Sequence, residues 1–313
     1  MKSNFIWDNT MVHPLCASLY TERDKEVDVD NIRYAKDLIK KHTGLFSNFR
    51  GSVQLVYATM LSLAENPEIK LEKALKAYNS LKNEFWSTQY LPISAFVIAD
   101  LADPVDYAAI SKRAKDLFRV MKQEHPFLTS GEDVTFAVMI ALSGLRIDLA
   151  INEMERCYQV LKGDFFSKNS VQSISHVLTL SDENTADKCR RVVDIFNGLR
   201  SRGYKFGTGN ELAILGVLSL GSKDINKVIN DIIRVDDFLQ SKKRFGIFGI
   251  GRPQRMMYAA ILVMQEYNKE IGNESDRVMN MTSINSVTGV IIAQQIAMSA
   301  AIAASVASAS NNN

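Results

Sequence analysis

Residues 53–82, VQLVYATMLSLAENPEIKLEKALKAYNSLK, hold two kinds of helical pattern in succession, and their pairing decides the fold class. The first half is apolar nearly throughout, with Val53, Val56, Tyr57, Met60 and Ala64 at the three-and-four spacing of a helix. Then come Asn66 and Pro67, a capping side chain followed by a proline whose missing N–H costs nothing in a first helical turn. The second half is charged, amphipathic and ends at Leu81-Lys82.

The same pair of blocks recurs down the chain. First blocks end at Leu63-Ala64, Leu101-Ala102, Leu142-Ser143, Leu180-Ser181 and Leu220-Gly221, so successive anchors stand 38, 41, 38 and 40 positions apart. Second blocks end at Leu81-Lys82, Met121-Lys122, Leu161-Lys162, Leu199-Arg200 and Leu239-Gln240. Helical spacing returns in Ile110, Ala114, Leu117, Phe118 and Met121, in Ile147, Ala150, Met154, Cys157 and Leu161, and in Ile225, Val228, Ile229, Ile232 and Leu239. Asp103-Pro104 and Ser130-Gly131-Glu132-Asp133 supply further start signals, with Asp106 as a capping partner of Asp103. No alternating strand pattern competes.

The expected architecture is therefore all-α: about five helical-hairpin repeats of period near 40, an α-solenoid of HEAT- or tetratricopeptide-like type without the hallmark residues of either. The more apolar first blocks form the inner helices and the charged second blocks the outer ones. The expected division is an N-terminal helical cap over residues 1–50, with a helix from about Asp30 to Lys41; the array over 51–270, closed by a helix from Met256 to Tyr267; and an uncharged Ala/Ser-rich helix and frayed tip over 271–313. That last segment has no charge in the 36 positions after Arg277. Gln294 and Gln295 interrupt it, so it is read as a helix that packs or self-associates and not as a membrane span.

Composition excludes several classes. With 313 residues, 46% hydrophobic and 23% charged, the chain can bury a core and is not disordered. Lys plus Arg number 37 against 35 Asp plus Glu, too even a balance for a dedicated nucleic-acid domain. Cys16, Cys157 and Cys189 are an odd, scattered set in apolar helical contexts, read as core residues of a protein in a reducing cytoplasm. An acid, Asp8, arrives before any apolar run of signal-peptide length, so no export is expected.

His125-Pro126-Phe127-Leu128-Thr129-Ser130-Gly131-Glu132-Asp133, the early His13-Pro14-Leu15-Cys16 and the Ala-rich end together resemble an uncharacterised family, a domain of unknown function in Gram-positive proteins of roughly this length. The resemblance runs nearly end to end. It implies a bacterial, cytoplasmic setting and carries over no catalytic residue.

The sharpest local feature is the stretch from Ser241 to Arg255, with Lys242, Lys243, Arg244, Arg252 and Arg255, three glycines at 246, 249 and 251 (Gly246, Gly249, Gly251), and no acid. Glycines let backbone N–H groups approach a phosphate, and a helix starting near Pro253 adds positive potential. One period earlier, Arg200, Arg202 and Lys205 stand in a second basic, glycine-rich loop, expected on the same edge. The competing reading is helix capping: glycines close helices in left-handed turns and bases favour helix C-termini. The glycine order matches neither a dinucleotide fingerprint nor a P-loop. Aromatics at other hairpin ends, Phe85-Trp86, Phe127, Phe165-Phe166 and Tyr204-Phe206, are read as packing between neighbouring repeats.

Catalytic and metal constellations are not found. The four histidines are dispersed; His13 with Cys16, and His125 with Glu132 or Asp133, lack a full ligand set, and Asp100, Asp103 and Asp106 are read as capping and surface acids. The functional expectation is a non-catalytic helical-repeat scaffold that binds a protein or peptide partner, with no cofactor and no metal. The alternative is a phosphate-ligand or nucleotide-binding protein or enzyme using loop 241–255. Neither nucleic acid nor a membrane is expected as partner.

Overall fold

Long apolar runs and charged amphipathic runs alternate in the chain, and the computed structural model turns each into a helix of matching burial. It describes residue 5 and residues 12–45, 47–51, 53–207, 209, 212–243, 245 and 250–271, with side chains as far as 267. Arg244, Gly246 and Gly249, and the Ala/Ser-rich segment after 271, lie outside the described residues.

Among the described residues there are thirteen α-helices and no strand: α1 (His13–Glu22), α2 (Val29–His42), α3 (Gln54–Ser62), α4 (Pro67–Glu84), α5 (Leu91–Leu101), α6 (Tyr107–Glu124), α7 (Val134–Leu142), α8 (Ile147–Leu161), α9 (Lys168–Leu178), α10 (Thr185–Ser201), α11 (Ala213–Gly221), α12 (Ile225–Gln240) and α13 (Arg252–Ile271). Helix α1 is not foreseen from its pattern. Its buried residues, His13, Leu15, Cys16, Ser18 and Tyr20, are spread round the helix and not gathered on one face. No helix among the described residues is long and apolar enough to cross a membrane.

The first-block helices are buried along almost their whole length, from Leu91 to Ala99 in α5, Val134 to Ala141 in α7, Ser170 to Leu178 in α9 and Ala213 to Ser219 in α11. The second-block helices bury one face only, as in α8 with Ala150, Ile151, Met154, Cys157, Tyr158 and Leu161. Several of them start on a short acid or amide. Asp28, Asn66, Asn184 and Asp224 each accept an N–H bond from the first turn of α2, α4, α10 and α12. Asp103 does not: its side chain makes no capping bond, and a 3₁₀ turn, Pro104–Asp106, leads into α6 instead. Asp100 is held by Lys70 Nζ at 2.8 Å.

The chain divides into two compact units, one running to Asp116 and one beginning at Leu117. In the first, α2 packs on α3 and α4 on α5, around a ring cluster in which Phe49 lies 5.8, 5.0 and 6.1 Å from Tyr57, Tyr78 and Phe96. In the second, α11 lies between α9 and α13, while α10 lies between α8 and α12 on the outer side. Gly216 sets the approach of α11 to α9, because a Cβ there would stand 3.2 Å from Cβ of Val177.

A fully buried helix has buried carbonyls at its C-terminal end, and these need donors. Helix α10 supplies two. Lys188, fully buried, reaches out of α10 so that its Nζ bonds the carbonyls of Leu178 and Ser181 at the end of α9 and Glu153 of α8, each at 2.8 Å. One turn on, Arg191 donates to the carbonyl of Ser219 in α11 at 2.7 Å and to Glu183 at 2.8 Å. In the first unit, Arg23 does the same for the carbonyl of Leu63 after α3. These cations also sit where helix dipoles are negative.

Two stability predictions follow from this geometry. Lys188→Met keeps the volume but strands two carbonyls and Glu153, and should lower urea-derived unfolding free energy by about 3 kcal/mol. Gly216→Ala gains helix propensity but forces α11 off α9, and should cost about 1–2 kcal/mol net in the same measurement.

Candidate functional site

The two basic loops meet, as their spacing implies. Arg252, the first residue of α13, lies over the ring of Tyr204 at 5.9 Å and donates to the carbonyl of Gly203. Gly203 itself has φ +83° and closes α10, its N–H reaching the carbonyl of Arg200. Tyr204 Oη donates to Asp237 at 2.7 Å, and Arg202 donates to Asn230 at 2.5 Å. Lys242 lies over the ring of Phe238 at 4.1 Å, and Lys243 is exposed.

Arg255 is engaged elsewhere. It is buried, forms a two-pronged pair with Asp236 at 2.8 and 3.0 Å, and also donates to the carbonyl of Phe245 at 3.1 Å. The loop's lack of acids in sequence is thus offset in space, because α12 brings Asp236 to Arg255, while Asp237 serves Tyr204 of the neighbouring loop. Gly251 stands immediately before α13.

Arg200 and Lys205 behave differently: both are exposed, and neither side chain has a bonding partner among the described residues. They line one cleft of about 330 Å³ together with Asp164 and several phenylalanines. Phe165 and Phe196 pack in a tilted pair, with centroids 4.9 Å apart and planes inclined by 56°. The glycine-rich loop draws attention in sequence, but this cleft depends on Phe165 and Phe166, which lie a full period upstream of Lys205.

The histidine-led stretch from 125 to 133 forms a second polar cluster. His125 Nε2 is 2.6 Å from Oε1 of Glu155, not near Glu132 or Asp133, and its ring packs 4.4 Å from Tyr158. Glu132 instead accepts from Asn169 at 2.8 Å. Thr129 accepts from Gln172 at 2.8 Å, and Ser130 and Asp133 form a reciprocal capping box. Asp133 faces buried His176 at 3.5 Å. A small cavity of about 10 Å³, the size of one water, lies among His125, Glu155, Gln172 and His176. The 30-residue separation of His125 from Glu155 left no local signal for this pairing. Cys157 and Cys189 are buried neighbours, with Cys189 Sγ 4.0 Å from the carbonyl of Cys157. No group of three or more His, Cys, Asp or Glu among the described residues could hold a metal ion.

The hairpin-end aromatics split into two sets. Phe85, Phe165 and Phe206 are buried and seal the ends, as read from sequence. Trp86, Phe127 and Phe166 are instead 90%, 99% and 95% exposed, so the packing explanation fails for them.

The chain belongs to the family described as a protein of unknown function, DUF4003, whose profile matches residues 1–296. It is also similar to the uncharacterized protein YeaA of Bacillus subtilis (strain 168), 23% identical over 320 residues that cover 98% of this chain and 92% of that protein. No solved structure matches it.

Burial pushes the Asp133 carboxyl up from 3.8 to about 7, with Glu132 adding to the rise and the Ser130 N–H and Lys122 opposing it. Burial, with His125 adding, pushes His176 down from 6.5 to about 3. The native state therefore holds the Asp133 proton more tightly than the unfolded chain, and this contribution fades as pH rises from about 4 through about 7. The His176 contribution has the opposite sense, present above 6.5 and lost as pH falls toward 3. Asp133→Asn should accordingly gain at least about 1 kcal/mol relative to the parent between pH 5 and pH 8 in urea unfolding. Parallel curves for the two proteins would refute the protonation of Asp133.

Proposed function

We propose that the protein is a non-catalytic scaffold of helical-hairpin repeats that binds a protein or peptide partner through its hairpin ends. The observation that carries this reading is the position of the exposed rings. Trp86, Phe127 and Phe166 follow the outer helices α4, α6 and α8 at intervals of 41 and 39 residues, one to each of three successive periods. Rings left in water lose hydration-driven stability that burial would give, and interfaces favour such large, stiff residues as anchors. Bases accompany them, with Lys122 and Lys168 exposed nearby in sequence, which suits a partner carrying acidic residues.

The test is a triple substitution, Trp86→Ser, Phe127→Ser and Phe166→Ser. Because none of the rings is buried, its melting temperature should match the parent's. Proteins crosslinked to the parent in native extract should be lost from the triple variant. Retention of every partner by a folded triple variant would remove the rings from the interface.

A second reading, binding of a phosphate-bearing ligand at the basic edge, is supported by the cleft at Arg200 and Lys205. Arg202, Lys242, Lys243 and Arg252 contribute charge to that edge, while Arg255 has its charge matched internally by Asp236.

A further inference from the structure

We infer that the cleft lined by residues 164–166, by Phe196 and Arg200 of α10 and by residues 205–207 is a binding site for a phosphate monoester that carries a flat aromatic ring, a compound the size of a nucleoside monophosphate. This rests on the anion-binding reading above and gives it a ligand class.

The volume, about 330 Å³, lies at the small end of the range of about 300–1,000 Å³ for ligand pockets, which fits one ring and one charged group and leaves no room for a dinucleotide. The lining is divided in the same way as such a ligand. Phe166, Phe196 and Phe206 offer ring faces and edges, and Phe165 backs Phe196 at 4.9 Å. Phe166 is 95% exposed although its neighbour Phe165 is buried, so its ring is available to a ligand and not committed to the core.

The charged part comes from two different elements. Arg200 is in the last turn of α10, and Lys205 follows the left-handed turn at Gly203, which reverses the chain and returns Lys205 to the same cleft. Elsewhere in this unit buried cations are taken up: Lys188 by carbonyls and Glu153, Arg191 by Ser219 and Glu183, Arg255 by Asp236. Arg200 and Lys205 have no such partner among the described residues. Two positive charges with no partner among the described residues suit a phosphate monoester, which carries about −1.5 to −2 near pH 7. Asp164, the one acid among the described residues that line the cleft, offers an acceptor for a hydroxyl or amino group on the ligand. The ring faces stack on any flat base without reading its edge, so the site should tolerate different bases.

The experiment is calorimetric titration of the full chain with adenosine 5′-monophosphate, uridine 5′-monophosphate, adenosine and inorganic phosphate. Both monophosphates should bind, with adenosine and inorganic phosphate each about tenfold weaker or worse. Phe166→Ala and Arg200→Ala should each weaken monophosphate binding about tenfold, and raising salt should weaken it further. Both side chains are exposed, so unchanged melting temperatures confirm that the variants are folded. Equal affinity for inorganic phosphate and the monophosphates overturns the aromatic ligand while leaving anion binding in place. No heat with any of the four overturns both, as does binding that both substitutions leave intact.

Discussion

The constraint on which the rest of the second unit depends is the need to satisfy carbonyls at the ends of helices that are buried all round. A helix with one face in water can leave its last carbonyls to solvent; α9 and α11 cannot, because they are buried along almost their whole lengths. Lys188 and Arg191 meet this need from a single outer helix, α10, and so fix α10 against two inner helices at once. Removing a hydrophobic contact would loosen one packing surface. Removing Lys188 would leave the carbonyls at the end of α9 and the Glu153 carboxylate of α8 without their cation.

The same constraint sorts the basic residues of the chain. In sequence, Lys and Arg look alike wherever they cluster near glycines. In space they divide into those that close helix ends or pair with buried acids and those that face solvent with no partner among the described residues. Arg255 belongs to the first group through Asp236, although it lies in the most conspicuous basic stretch of the chain. Arg200 and Lys205 belong to the second, although nothing in their local sequence separates them from Arg202, which is held by Asn230.

The all-helical class and the alternation of inner and outer helices were legible because burial leaves its mark on hydrophobic spacing over 9 to 18 residues. The capping of α4 by Asn66 was legible for the same local reason. Helix α1 was not, since it is buried on several sides without being uniformly apolar. Pairings made across 30 or more residues left no local trace. His125 was expected near Glu132 or Asp133 and lies on Glu155; the cleft of Arg200 and Lys205 takes part of its wall from Phe165 and Phe166. The exposure of Trp86, Phe127 and Phe166 was misread because composition shows that a ring is present and not which way it points.

At Phe85-Trp86 and Phe165-Phe166, adjacent rings face opposite environments; Phe85 has extended backbone, in which consecutive side chains alternate in direction. The inward ring of each pair belongs to the core, and the outward ring contributes almost nothing to it. Folding and recognition are therefore written in neighbouring letters that can vary independently. A lineage, or a designer, could rewrite the outward positions one period at a time and change what the surface meets without renegotiating the interior.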